Sequence, residues 1–134
     1  MSKFKERIRW YEGFRSQPYA DIDGKLTFGY GRTFITRDEA EMLLANDEDR
    51  IFRGLENAFP WFDDQPESVQ LALMDMAYHM GINGLKGFKK MLSAIEAGDY
   101  QKAYEECLDS KYARRFTRRA RSNAEMIREG KGKG

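Results

Sequence analysis

The chain has very few of the residues that build disulfides and metal sites. Its 134 residues include one cysteine, Cys107, and one histidine, His79. A single cysteine excludes an internal disulfide and fits synthesis in a reducing cytoplasm. One histidine and one cysteine are also too few for a protein-built zinc site. We therefore expect no metal and no cofactor.

Long apolar runs are missing as well. Apolar residues make up 41% and charged residues 34% of the chain, and no apolar run approaches the length needed to span a bilayer. Residues 1–15 alternate basic and apolar types and lack the continuous apolar core of a signal peptide. We therefore expect no stable membrane insertion, no signal peptide and synthesis in a host cytoplasm.

The charge is unevenly distributed. The net charge of the whole chain is +1, but from Lys111 onward nine basic residues accompany only two acids, which gives that segment +7 and leaves about −6 for the rest. A basic C-terminal segment indicates an anionic partner. Charge alone leaves nucleic acid, an anionic membrane surface and acidic cell-wall peptides open.

The N-terminal pattern predicts a helix, a small sheet and a long helix. Residues 3–11 carry apolar side chains at helical spacing, and Gly13 follows as a stop. The segment 15–33 alternates as short strands around a glycine-containing turn. Thr36 and Glu39 then form a capping box at the start of the long helix.

The rest of the pattern is helical. A central buried helix is predicted to begin at Asp63 or Asp64 and to end at Gly81. Further helices are predicted over 84–97 and 100–108, and one or two short helices are predicted within 110–129. The glycine- and lysine-rich end, 130–134, predicts a frayed tail.

The size and the order of elements predict one α+β domain over residues 1–134. We expect a mainly helical protein with a small N-terminal antiparallel sheet lobe over about residues 12–35. A helical C-terminal lobe would span about residues 58–129 and include the N-terminal helix. The long helix would join the two lobes.

Two acids and a hydroxyl lie close together between the first helix and the sheet. Glu12 ends the helical pattern, while Asp21 and Thr27 belong to the strand pattern, so two different elements can bring them to one place. Each also has an ordinary structural interpretation. Glu12 can be a solvated helix end, Asp21 or its neighbour Asp23 can cap the turn, and Thr27 can be a plain strand residue.

The run from Glu12 to Gly31 resembles the phage-type lysozymes of glycoside hydrolase family 24, the group of T-even phage lysozyme and many endolysins. The family pattern is a Glu-Gly pair, a nearby basic residue, Tyr-x-Asp, a glycine turn and Thr-x-Gly-x-Gly. The matching residues keep the family's spacing: Glu12-Gly13, Arg15, Tyr19-Ala20-Asp21, Gly24 and Thr27-Phe28-Gly29-Tyr30-Gly31.

The resemblance extends over nearly the whole chain. Residues 76–81 look like the end of the family's central helix, and residues 110–120 look like its C-terminal substrate-side segment. Three departures stand out. The stretch after Arg32 is shorter than in some relatives, Arg32 itself replaces a common His, and His79 replaces the Gln of the best-known member.

The resemblance implies a lysozyme-like fold and hydrolysis of the β-1,4 bond between N-acetylmuramic acid and N-acetylglucosamine in peptidoglycan. Glu12 is then the acid, and Asp21 and Thr27 orient an attacking water. Inverting geometry predicts carboxyl groups roughly 6.5–9.5 Å apart. The resemblance also implies that Arg119 pairs with Glu12 from the C-terminal segment.

Four further side chains are candidates for substrate contact: Tyr30, Tyr78, His79 and Lys111. Structural interpretations remain open for three of them. Tyr78 can be core packing, His79 can be solvated, and Lys111 with the arginines over 114–121 can be a solvated helix face. In the substrate interpretation, these basic residues contact the acidic stem peptides of peptidoglycan.

The resemblance implies a monomeric enzyme of a phage or prophage that acts on peptidoglycan glycan strands for host cell lysis. Without a signal peptide it would reach the wall through a holin-dependent hole. Two alternatives remain: a lytic transglycosylase, and a non-catalytic module that binds the wall or nucleic acid. We place the non-catalytic module last, because few aromatic stacking residues lie among the arginines.

Overall fold

The computed structural model describes residues 2–130, which fall into two compact units with bounds Met1–Leu44 and Ala45–Gly134. Of the predicted frayed tail over 130–134, Gly130 is buried and caps a helix, so the prediction is wrong at that residue, and 131–134 lie outside the described residues. The single domain and the lobe bounds expected from the sequence stay a prediction.

Residues 2–130 are mainly helical, with one two-stranded antiparallel sheet near the N-terminus, which confirms the predicted α+β class. No helix in this described range is long and apolar enough to cross a membrane. A short 3₁₀ helix spans Phe62–Asp64. The elements are α1 (Lys3–Glu12), β1 (Arg15–Ala20), β2 (Leu26–Gly29), α2 (Arg37–Ala58), α3 (Glu67–Lys86), α4 (Lys89–Glu96), α5 (Tyr100–Leu108), α6 (Lys111–Arg115) and α7 (Thr117–Glu129).

The first unit is built from local backbone bonds. Helix α1 ends at Glu12, and the cap residue Gly13 has φ 67° and donates its N–H to the Arg9 carbonyl at 3.1 Å, as the predicted stop requires. Strands β1 and β2 pair with Tyr19 opposite Thr27. The ladder is irregular between Arg15 and Tyr19, the stretch that contains Pro18, which has no N–H to donate.

The second unit has the hydrophobic core. The predicted burial of the central helix is confirmed in α3, because Val69, Leu73 and Met76 are completely buried. Leu55 of α2 and Ile127 of α7 are buried in the same cluster. Each such side chain contributes about 2 kcal/mol of transfer free energy. This unit is therefore held chiefly by apolar burial.

Two predicted helix bounds are wrong. Helix α3 begins at Glu67, because Pro66 disfavours helical geometry in the residue before it and Gln65 is extended with ψ 148°. The predicted single helix over 84–97 is split, since α3 continues to Lys86 and α4 begins only at Lys89. Gly81 breaks the helix locally as expected, with φ 80° and ψ 158°, but the chain resumes helical geometry after it.

Candidate active site

The Glu12 side chain lies against the glycine turn that follows β2. A Cβ atom placed on Gly31 would come within 2.5 Å of Glu12 Oε2 and 2.8 Å of its Cδ. Gly31 also has φ 78°, a conformation that favours glycine. The space that the bare Gly31 leaves is occupied by the Glu12 carboxyl.

Asp21 organises the turn between the strands. Its Oδ1 accepts from the backbone N–H of Asp23 at 2.9 Å and from that of Lys25 at 2.8 Å. The turn-capping interpretation is thus observed for Asp21 and not for Asp23. These bonds use one carboxylate oxygen, and Oδ2 makes no hydrogen bond within residues 2–130, so it has capacity for a water. The catalytic role of Asp21 stays a prediction.

Thr27 is the one buried residue in the described part of the first unit, with 5% of its surface exposed. Its hydroxyl donates to the Tyr19 carbonyl at 3.4 Å, across the paired strands. The hydroxyl oxygen can still accept a hydrogen bond from a water. Tyr30 is 44% exposed, and its ring lies 5.7 Å from that of Phe14. The catalytic role of Thr27 and the substrate contact of Tyr30 stay predictions.

An ion pair that the sequence analysis missed lies directly after this turn. Arg32 binds Glu39 through both terminal nitrogens, with Nη2 to Oε1 at 2.8 Å. Glu39 also completes the predicted capping box, which is confirmed: its Oε1 accepts from the N–H and the hydroxyl of Thr36, each at 2.9 Å. The capping-box motif identified Glu39 from the sequence. Arg32 was noted only because it departs from the family pattern, and its pairing with Glu39 was not predicted.

In the second unit, Arg119 is held by Asp75 of α3. Its Nε donates to Oδ2 at 2.9 Å and its Nη2 to Oδ1 at 2.8 Å, while Asn123 Nδ2 donates to Oδ2 at 2.9 Å. The Arg119 hydrogen bond lowers the pKa of Asp75, against an opposing effect of burial. The pairing of Arg119 with Glu12 of the first unit stays a prediction.

Neither Asp75 nor Asn123 was predicted as a site residue. The helical spacing between Arg119 and Asn123 could have indicated a shared partner, because residues four apart lie on one helix face. Nothing in the sequence pointed to Asp75, which is distant in the chain and falls among apolar residues of α3.

An aromatic cluster surrounds His79 of α3. The His79 ring lies edge-on to Phe116 at 4.5 Å and to Tyr112 at 5.7 Å between centroids. His79 is half-buried rather than solvated, and its Nδ1 is buried with no partner among the described residues. Tyr78 is 54% exposed, so it is not a core residue, and Lys111 is exposed at the start of α6. Their contact with substrate stays a prediction.

The candidate residues divide between the two units. Glu12, Asp21, Thr27 and Tyr30 all lie in the first unit, where the structure places Glu12 beside the glycine turn. The second unit holds the other candidates: Tyr78, His79, Lys111 and Arg119.

Comparison with known proteins relates this arrangement to one family. A family model described as phage lysozyme matches residues 9–123. Pre-baseplate central spike protein Gp5 of Enterobacteria phage T4 is 34% identical over 104 residues, which cover 78% of this chain and 17% of that protein. Peptidoglycan hydrolase gp36 of Enterobacteria phage SP6 is 28% identical over 88 residues, which cover 66% of this chain and 9% of that protein.

This chain spans less than a fifth of either relative's length. The family model, in contrast, matches most of this chain, including the whole run from Glu12 to Gly31 and most of the second unit. The chain belongs to the phage lysozyme family.

Proposed function

We propose that this chain is a muramidase that hydrolyses the β-1,4 bond between N-acetylmuramic acid and N-acetylglucosamine in bacterial peptidoglycan. The observation that carries the proposal is the Glu12 carboxyl seated on Gly31, within a segment that the family model matches. The name of the SP6 relative, a peptidoglycan hydrolase, supports the same substrate.

In this mechanism the reaction is a single displacement with inversion. Glu12 donates its proton to the leaving glycosidic oxygen as the bond to the anomeric carbon breaks. A water held by Asp21 Oδ2 and the Thr27 hydroxyl attacks that carbon from the opposite face and gives a proton to Asp21. Carboxyl groups roughly 6.5–9.5 Å apart would leave room for this water.

The remaining candidates would bind the glycan strand and tune the acid. Tyr30, Tyr78 and His79 offer ring faces and polar edges to sugar units, and Lys111 offers a cation to the stem peptides. Arg119 would pair with Glu12. Because Asp75 already holds the Arg119 guanidinium, its charge would act on Glu12 only in part.

Replacing the acid tests the proposal. Glu12→Gln should lower the rate of reducing-end release from purified peptidoglycan by about 10³-fold or more, because the leaving oxygen loses its proton donor. Glu6→Gln, on the same helix α1, is the matched control and should keep the wild-type rate. Circular dichroism should show both variants folded. Wild-type activity in a folded Glu12→Gln variant would refute the assignment.

Product analysis separates the alternatives. Mass spectrometry of the digested muropeptides should show one added water per cleaved bond, and an anhydro sugar end would instead identify a lytic transglycosylase. The anomer formed first, observed by proton NMR, should be the inverted one. Binding to peptidoglycan or DNA without any released product would favour the non-catalytic module.

The biological setting has two candidates. In the first, the chain is a cytoplasmic monomer of a phage or prophage that lyses the host after holin-dependent release. In the second, it forms part of a virion structure, which the similarity to a central spike protein favours. Mass spectrometry of purified particles decides between them, because only the second setting places the chain in the virion.

A further inference from the structure

We propose that Arg32 is a positioning residue for Glu12: its ion pair with Glu39 holds the turn that carries Gly31 against the Glu12 carboxyl. The inference rests on the proposed function, because it assigns Glu12 the role of the acid. All the residues involved lie in the first unit.

The turn itself needs an anchor. Phe28 and Arg32 close it by exchanging two backbone hydrogen bonds, Phe28 N to Arg32 O at 2.8 Å and Arg32 N to Phe28 O at 2.9 Å. Between them lie Gly29 and Gly31, with φ 59° and 78°. Glycine loses more conformational freedom on ordering than any other residue, so two hydrogen bonds alone leave such a turn weakly fixed.

The start of α2 supplies the anchor. The Arg32 guanidinium meets both oxygens of the Glu39 carboxylate, a planar fork that fixes direction as well as distance. Glu39 is in turn held by Thr36, whose N–H and hydroxyl donate to Oε1 and whose hydroxyl accepts from the Glu39 N–H at 3.2 Å. Arg32 is therefore tied to a capped helix end.

The Arg32–Glu39 pair favours the charged form of both side chains. The hydrogen bond from Arg32, followed by those from Thr36, lowers the pKa of Glu39 to about 2, and the same pair raises the pKa of Arg32. The side chains are 40% and 39% exposed, so solvent screens the pair and its contribution to stability is small. Its effect is therefore geometric.

The position of this turn bears directly on the position of the Glu12 carboxyl. Gly31 precedes Arg32 in the chain, and the Glu12 carboxyl fills the space that a Cβ on Gly31 would take. If the ion pair between Arg32 and Glu39 is broken, the turn can shift. Gly31, against which the Glu12 carboxyl lies, then moves with the turn. Because proton donation requires a closely defined position, a small displacement of Glu12 lowers kcat, while the glycan-binding candidates of the second unit are unchanged.

Two variants break the pair differently. Glu39→Gln keeps an oxygen that can cap Thr36 but removes the carboxylate that the Arg32 fork needs. Arg32→Gln removes the fork and leaves the cap intact. Asp49→Asn is the matched control, because it breaks an exposed ion pair with Arg53 on the same helix α2.

Kinetics on soluble peptidoglycan fragments measure the effect. We expect Arg32→Gln and Glu39→Gln each to lower kcat about tenfold and to change KM by a smaller factor, because positioning acts on the chemical step and only one of the glycan-binding candidates, Tyr30, lies in the turn. The double variant Arg32→Gln/Glu39→Gln should fall no lower than either single variant, since both remove one contact. Wild-type kcat in both single variants, or losses that multiply in the double variant, would overturn the inference.

A carbon NMR measurement keeps the inference independent of activity. In protein labelled with ¹³Cδ-glutamate, the Glu12 signal is the one that Glu12→Gln removes. Arg32→Gln and Glu39→Gln should both shift this signal, and Asp49→Asn should leave it in place. A Glu12 signal that does not move in Arg32→Gln and Glu39→Gln contradicts the inference. Absence of product from the wild-type enzyme would instead refute the proposed function, whatever the Glu12 signal shows.

Discussion

The two units of this protein are held by different forces. In the described part of the first unit one residue, Thr27, is buried, and order comes from backbone turns, a capping box and an ion pair. In the second unit a continuous cluster of apolar side chains is buried. The candidate acid thus lies where hydrogen bonds set the geometry and apolar burial contributes little.

This difference has a physical basis. A ribbon of two short strands has few side chains to bury, so its shape is set by the hydrogen bonds of its turns. Helices packed around a core gain stability from every buried side chain, and their exact polar contacts matter less for stability. Substitutions in the two units should therefore change different observables.

The largest expected effect is on the core of the second unit. Leu73→Ala should lower the free energy of unfolding by about 3–4 kcal/mol, because it removes a fully buried side chain and leaves a cavity. Leu26→Ala in β2, at a position 63% exposed, should change it by less than about 0.5 kcal/mol. Urea unfolding measures both. Equal losses of unfolding free energy would contradict the difference between the two units, since the first unit would then also depend on apolar burial.

An intermediate effect is expected in the glycine turns of the first unit. Gly31→Ala and Gly24→Ala should each lower the free energy of unfolding by about 1–2 kcal/mol, because alanine is strained at φ 78° and 81°. The two variants should differ in activity. Gly31→Ala should lower kcat about 100-fold, because its Cβ displaces the Glu12 carboxyl.

Gly24→Ala is the matched control for this effect, because a Cβ there meets open space. Its kcat should stay within about twofold of wild type. Equal kcat losses in the two alanine variants would mean that general strain, and not the position of Glu12, governs the rate.

The smallest effect is expected for the polar network of the second unit. Asp75→Asn should lower the free energy of unfolding at neutral pH by about 1 kcal/mol, because solvent screens a pair whose side chains are 35% and 42% exposed. The pKa of Asp75 is lowered in the folded state. Its contribution is therefore complete above its ordinary value of 3.8 and is lost as the pH falls through the lower folded value.

Urea unfolding of both proteins between pH 7 and pH 2.5 measures this contribution. The difference between wild type and Asp75→Asn should be constant above about pH 5 and should shrink as the solution becomes more acidic. A difference that grows on acidification would contradict the assignment of the lowered pKa.

Local patterns predicted much of the fold. The sequence predicted four features within a few residues: the helix α1, its stop at Gly13, the capping box of α2 and the burial of α3. Such features depend on neighbours one to four positions apart, which a linear sequence displays directly. The bounds around Pro66 and the break before α4 were missed, because several competing turn signals lie close together there.

The sequence by itself determined which residues are available for chemistry: Glu12 at a helix end, and Asp21 and Thr27 in the segment after it. Only the tertiary structure placed the Glu12 carboxyl on Gly31, joined Arg32 to Glu39 and brought Arg119 to Asp75. These contacts join residues that are separated along the chain by as few as seven and as many as 44 positions. No periodicity encodes such distances, because they follow from how complete elements turn and pack.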